Sequence, residues 1–319
     1  AVFIKIGKER KSASRTQIIL TLVSVAAILL AILFHFVVHP LKIAPQPALF
    51  MEYGRLMLEG ERPYLDFFDY VFPPIMFLYT IPNMVSKYFS IHPVMASNLF
   101  VWFILTVSLS ISGLLLFTSR LRDQSLSFWF LIGFAASNFL FIPQFGEPHH
   151  LMILFTAPYF LSRVLASGGD EVDIRILGVT GTFAAFGFSL DLIFLFVYLS
   201  FEILLALKEK SFQIFSKVDF SACFLTLILI GAVYISHFEA SGKTLADFPM
   251  NMMLLEFDTW IDSMGYVKTT PDLREYFYIT IVVFAFSMGL NRWSKFFFPL
   301  NLLIVIGFGT FILQGKMYT

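Results

Sequence analysis

Apolar residues run along this chain in long blocks, and the polar residues are gathered between them. A helix crosses the apolar part of a bilayer in about 20 residues. Nine blocks approach that length, at 17–38, 73–90, 94–118, 126–143, 149–166, 175–207, 219–237, 275–290 and 296–313. The block at 175–207 is long for one helix and carries Asp191 near its middle, so it predicts either a tilted span or two helices broken near Gly187. Two polar stretches, 39–72 and 238–274, are longer than a simple turn. Each contains a predicted amphipathic helix. Over 47–59, Pro47 opens the helix and Gly60 stops it. Glu52, Arg55 and Glu59 share one face of it, and Leu49, Phe50, Tyr53, Leu56 and Met57 cover much of the rest. Residues 249–257 repeat the pattern with Met250, Met252, Met253, Leu254 and Leu255, followed by Trp260 as an interfacial anchor. Met-rich helices of this kind border adaptable apolar grooves, and the plain alternative is that both rest on lipid.

Composition agrees with the pattern. Of 319 residues, 58% are hydrophobic and 14% charged, against about 25% charged in soluble domains. Mean hydropathy is +0.79. The expected class is an all-α, polytopic transmembrane bundle of about nine spans in a single domain, 1–319. Formal net charge is zero, which offers no electrostatic footprint for nucleic acid. The single cysteine, Cys223, lies in an apolar run and is expected to be buried and inert. Residues 1–16 carry Lys5, Lys8, Arg10, Lys11 and Arg15 against Glu9, which predicts a cytoplasmic N-terminus rather than a cleaved leader. Counting passes then puts 39–72 and 238–274 outside and the lysines of 208–218 inside, while Arg120 and Arg122 break the rule. The chain opens on Ala1 and stops soon after an apolar run, so its completeness at either end is left open.

Candidate chemistry concentrates in a few polar islands. Asp66 and Asp69 lie three apart, just before Pro73-Pro74 opens a span. Carboxylates at a membrane edge can act as a general base, orient a sugar hydroxyl or hold a divalent cation. The alternative is a solvated loop whose acids favour the positive N-terminus of the next helix. Gln144-Phe145-Gly146-Glu147-Pro148-His149-His150 is wedged between two apolar runs. It matches no strong metal-ligand spacing, and a capping turn with hydrogen-bonded histidines is the better reading. Asp191 inside an apolar run is a functional hypothesis by default, with Arg175 or an arginine on another helix as its partner. Glu202 reads as a boundary residue, and Lys316 as a charge that stops a helix. No phosphate-cradling loop, CxxC pair or nucleotide-binding glycine fingerprint is present.

The run Gly54-Arg55 through Leu58, Gly60, Pro63-Tyr64 and Asp66, then Pro73-Pro74, resembles the first external loop of GT-C-fold membrane glycosyltransferases, the superfamily of protein mannosyltransferases and aminoarabinose transferases. Phe145-Gly146, His150-Leu151 and Ala157-Pro158-Tyr159 resemble a segment of a divergent bacterial branch. So do the glycine-rich stretch ending at Leu190, with Glu202 after it, and Gln314-Gly315-Lys316. The resemblance implies transfer of a sugar from a polyprenyl-phosphate donor at the external face of a bacterial inner membrane. It implies Asp66 and Asp69 as catalytic acids. It also implies a substrate and lipid-phosphate site drawn from Arg55, Arg62, Tyr64, Glu147, His149, His150, Asp191 and Lys316. Membrane lipids and the polyprenyl-phosphate sugar are the expected partners, a divalent cation is an optional cofactor, and no resident metal is expected. The chain departs from that pattern in several places. Gln46 stands where many relatives have an acid, His149 where the branch has an acid, Asp191-Leu192 where it has Lys-Pro, and Met317-Tyr318 where Gly-aromatic is common. An anion in place of a phosphate-binding cation reverses the local electrostatics. A second reading follows, in which the chain is a catalytically degenerate relative that serves as an accessory subunit among other membrane proteins. A third, a carrier using Asp191, would call for inverted repeats, and none is visible.

Overall fold

A computed structural model describes residues 15–63, 66–67, 73–118, 124–139, 142–167, 172–210 and 217–238. These residues form helices and turns, with one isolated bridge between Pro63 and Phe67 and no strand among them. The helices are α1 (Arg15–Val38), α2 (Pro45–Leu58), α3 (Pro73–Phe89), α4 (Pro93–Thr118), α5 (Gln124–Ser137), α6 (Pro148–Ser167), α7 (Ile174–Phe188), α8 (Leu192–Glu209) and α9 (Val218–Phe238). A single 3-10 turn, Ile142–Gln144, precedes α6. The all-α expectation holds for these residues. Thr16–Val38, Pro93–Thr118 and Pro148–Ser167 are long and apolar enough to cross a membrane, and Ile174–Phe188 and Val218–Tyr234 are shorter apolar helices. The expectation of about nine spans is therefore met by three among the described residues. The spans expected at 275–290 and 296–313, the loop 238–274 with its Met-rich helix, Arg120 and Arg122, and the basic head 1–14 lie outside the described residues.

One expected span comes out differently, and a second takes one of its two expected forms, two helices broken just past Gly187. The block 126–143 becomes the 14-residue α5 followed by a turn. At 1.5 Å per residue α5 is about 21 Å long, short of a 30 Å hydrocarbon core. Asn138 ends it, because its side-chain amide donates back to the Phe134 carbonyl at 2.7 Å. The block 175–207 is broken into α7 and α8 at Ser189, Leu190 and Asp191. Asp191 thus lies at a helix junction, half-buried, and not inside a helix. Its carbonyl accepts the first amides of α8, from Phe194 at 3.1 Å and Leu195 at 3.4 Å.

Packing follows small residues. α7 is sandwiched between α6 and α9, α4 packs on α6 and α3, and α1 packs on α5 and α4. At Gly181 the backbone of α7 meets that of α9, since a Cβ there would overlap the Asp219 carbonyl. Helices in lipid gain from such close approach because apolar burial alone does not hold them together. α2 begins two residues before its expected start and ends as expected, with Gly60 at φ +96°. It does not simply rest on lipid. Phe50, Met51 and Gly54 are buried against α3, where a Cβ on Gly54 would come within 2.6 Å of the Tyr79 carbonyl. Asn83 of α3 also donates to the Met51 carbonyl at 2.7 Å.

Candidate functional site

The turn before α6 is the hub of one end of the bundle. Gly146 adopts φ +89°, a left-handed conformation that favours glycine. Its carbonyl accepts from the buried Tyr79 hydroxyl of α3 at 2.6 Å. A Cβ on Gly146 would crowd Tyr79, Val101 of α4 and Pro47 of α2. Phe145 packs on Phe36 of α1, ring centroids 4.7 Å apart, and on His150 at 4.9 Å. His150 is buried, and its two nitrogens are both engaged. The Gly146 amide donates to Nδ1 at 3.1 Å, and Nε2 lies 2.8 Å from Asn138 Oδ1. A backbone N–H can only donate, so Nδ1 carries the lone pair and Nε2–H donates to Asn138. The expectation of a capping turn with hydrogen-bonded histidines is met at His150. His149 is half-buried, with its ring edge-on to Phe194 of α8 at 5.3 Å. Glu147 is half-buried at the mouth of α6, and desolvation raises its carboxyl above the usual range.

The first-loop residues lie along α2 and beyond it. Arg55 is exposed and forks onto Glu52, Nε to Oε2 at 3.0 Å and Nη2 to Oε1 at 2.6 Å, while Nη1 pairs with Glu59 at 2.5 Å. Those bonds hold the Glu52 carboxyl below its usual range and raise Arg55 further. The guanidinium expected to meet a lipid phosphate is already flanked by two carboxylates. Asp66 is held in a local clasp. The Arg62 amide donates to Asp66 Oδ2 at 2.8 Å, Arg62 Nε lies 3.4 Å from the same oxygen, and the Asp66 amide donates to the Arg62 carbonyl at 2.9 Å. The Arg62 backbone amide first, and its side chain second, hold the Asp66 carboxyl below the usual carboxylate range. Such an acid stays ionised and orients a hydroxyl well, but it is a weak proton acceptor. Phe67 stacks on Tyr53 of α2, centroids 5.3 Å apart, which ties the clasp to α2. Tyr64, Asp69 and Lys316 lie outside the described residues.

Segments 45–63, 66–67, 144–150 and 189–194 thus share one end of the bundle, linked through the Pro47, Phe145 and His149 contacts. Asp191 belongs to this end. Arg175, its suggested partner, is exposed at the far end of α7. Sixteen residues separate them in sequence, so α7 alone spaces the two by more than about 20 Å. Among the described residues, no three His, Cys, Asp or Glu side chains converge as a metal site.

A second polar centre was not visible as one in the sequence. Glu202, read above as a boundary residue, is fully buried, and its partner is Arg163 of α6, with side-chain exposures of 1% and 0%. Arg163 Nε donates to Glu202 Oε1 at 2.9 Å and Nη2 to the Tyr159 hydroxyl at 2.9 Å, and that hydroxyl donates to Glu202 Oε1 at 2.6 Å. Asp219 of α9 pairs with Arg163 Nη1 at 3.3 Å. Around them pack Phe160, Phe188, Tyr198 and Phe201. The signal that would have found this centre is one cation, Arg163, alone in its apolar run, and one anion, Glu202, flanked by apolar residues in another.

No family model, no curated protein and no solved structure matches this chain. Fold and site together define a helical membrane protein.

Proposed function

We propose that this chain is a GT-C-like glycosyltransferase that moves a sugar from a polyprenyl-phosphate carrier to an acceptor at the α2 end of the bundle, in a bacterial inner membrane. The observation that carries the reading is the gathering of the first-loop segment, the Gly146–His150 turn and the α7–α8 junction at that one end. These segments also carry the sequence resemblance, and they are far apart in the chain. In the proposed reaction the acceptor hydroxyl attacks the anomeric carbon, the bond to phosphate breaks, and a carboxylate takes the hydroxyl proton. Ionised Asp66, with Asp69, orients the acceptor. Glu147, raised by desolvation, is the better matched proton acceptor near neutral pH.

A second reading, a catalytically degenerate accessory subunit, is favoured by a different observation. Arg55, Asp66 and His150 all spend their polar groups on internal partners. The two readings separate in lipid nanodiscs with undecaprenyl-phosphate hexose as the donor. Transfer, or donor turnover with release of undecaprenyl phosphate, is expected in the native chain and lost in the D66N/D69N double variant and in E147Q. No turnover by the native chain, or turnover unchanged in all variants, removes the transferase reading.

A further inference from the structure

Where α6, α8 and α9 meet, the hydrogen atoms can be counted against the oxygens they must serve. Tyr159 balances: its oxygen accepts from Arg163 Nη2, and its own proton goes to Glu202 Oε1. Ser162 does not. Its hydroxyl has one proton but lies 2.7 Å from the Tyr159 carbonyl and 2.9 Å from Asp219 Oδ2. A carbonyl oxygen only accepts, so the second contact is fully satisfied when the carboxylate side supplies a proton. Charge gives the same answer independently. A single guanidinium faces two carboxylates, with side-chain exposures of 0%, 1% and 2% for Arg163, Glu202 and Asp219. With both acids ionised, one negative charge is left uncompensated. Glu202 Oε2, buried and without a hydrogen-bond partner, is then a bare anionic oxygen away from water.

We propose that this cluster is a buried proton-binding site, holding one proton shared between Asp219 and Glu202 beyond those of its guanidinium and hydroxyls. The groups facing it are Tyr159, Ser162 and Arg163 from α6, Tyr198 and Glu202 from α8, and Asp219 and Cys223 from α9. α7 brings the Phe188 ring against Tyr159 and its backbone against α9 at Gly181, with no titratable group. Two interacting acids share such a proton as a pair, so it belongs to the cluster and not to one residue. The site is independent of the transferase reading, because it lies away from the α2 end. Its consequence has a definite sign. The folded chain binds one proton more than the unfolded chain near neutral pH, so this junction loosens as pH rises.

Infrared difference spectra of the full chain in lipid nanodiscs test the site. A protonated carboxylic acid gives a carbonyl stretch that vanishes when the proton leaves. That band is expected at neutral pH, is bleached on alkalinisation, and is lost in D219N and in E202Q alike, because either variant leaves a single carboxylate balanced by Arg163. The E147Q variant removes any contribution from Glu147. Should either carboxylate variant fail to fold, S162A and Y159F keep both acids and shift the band through the hydrogen bond they remove. Absence of the band at neutral pH, its survival in either carboxylate variant, or its indifference to both S162A and Y159F would overturn the proposal.

Discussion

Replacing Arg163 by methionine removes the one cation of the buried centre while keeping an apolar stem of similar length. The native side chain is fully buried and makes two hydrogen bonds and one further ion-pair contact. Without it, Glu202 keeps only the Tyr159 hydroxyl as a donor, and Asp219 keeps its contact with Ser162 and the Phe220 amide, 2.9 Å from Oδ1. Breaking a buried pair from one side costs about 3–5 kcal/mol, most of it from the charge left behind. The double replacement R163M/E202L removes that charge as well, and filling the space with apolar atoms is neutral to favourable in such cases. Asp219 loses its Arg163 contact equally in both variants, so the comparison isolates Glu202. The assay is reversible unfolding by SDS titration from mixed micelles, followed by tryptophan fluorescence. R163M is expected to lose about 3–5 kcal/mol and the double variant to regain most of it. The reasoning is refuted if R163M stays within about 0.5 kcal/mol of the native chain, the range of an ordinary surface change. A double variant less stable than R163M would refute it too.

Further predictions concern the packing and the α2 end. Gly181→Ala forces α7 off the Asp219 carbonyl, and overpacking of that kind costs about 1–3 kcal/mol in the same titration. Tyr79→Phe leaves the buried Gly146 carbonyl without its donor, a loss of about 1–3 kcal/mol. Asp66→Asn opens the exposed clasp, so hydrogen exchange at the Arg62 amide rises while global stability barely moves. Because the folded Asp66 carboxyl is depressed, the clasp is fully formed above the ordinary carboxylate range and is lost as pH falls through the folded value. Glu147 has the opposite sign. Its raised carboxyl makes stability highest below the ordinary carboxylate range and lower as pH rises through the folded value, so E147Q flattens that part of the pH–stability curve.

Much of the helix register was legible. The blocks at 17–38, 94–118, 149–166 and 219–237 correspond to α1, α4, α6 and α9 within two residues at each end. Length and apolarity alone specify such helices. The errors came where a hydrogen bond decides and hydropathy is silent. Phe139 and Ile142 continue the apolar run past Asn138, but the Asn138 amide has already turned back onto α5. The break between α7 and α8, expected near Gly187 as one of two alternatives, falls at Ser189, Leu190 and Asp191. At the site, the shared face of Glu52, Arg55 and Glu59 was legible from helical spacing, and the structure pairs them. The clasp on Asp66 was not, because its main donor is the Arg62 backbone amide. Asp219 is the first charge of its apolar run, and nothing in the sequence singled it out. It is buried because glycine at 181 lets α9 start against the middle of α7.

The two polar centres impose different demands, and this explains their different chemistry. The α2 end joins five helices through one glycine turn, and its charges at Arg55, Asp66 and Glu147 retain access to water or the interface. Charges there can be exchanged for a ligand at little cost, because exposed ion pairs contribute weakly to stability. The Arg163 centre has no such freedom. With Arg163, Glu202 and Asp219 all buried, any change in its charge must be answered inside the cluster or by movement of α8 and α9. Binding chemistry therefore belongs at the α2 end, where Glu147 is desolvated but reachable. Control by protonation belongs at the Arg163 centre, where one proton decides whether α6, α8 and α9 close on a balanced or an unbalanced charge. A ligand-induced change at the α2 end would reach that centre through α6, which runs from the Gly146 hub to Arg163 in a single helix.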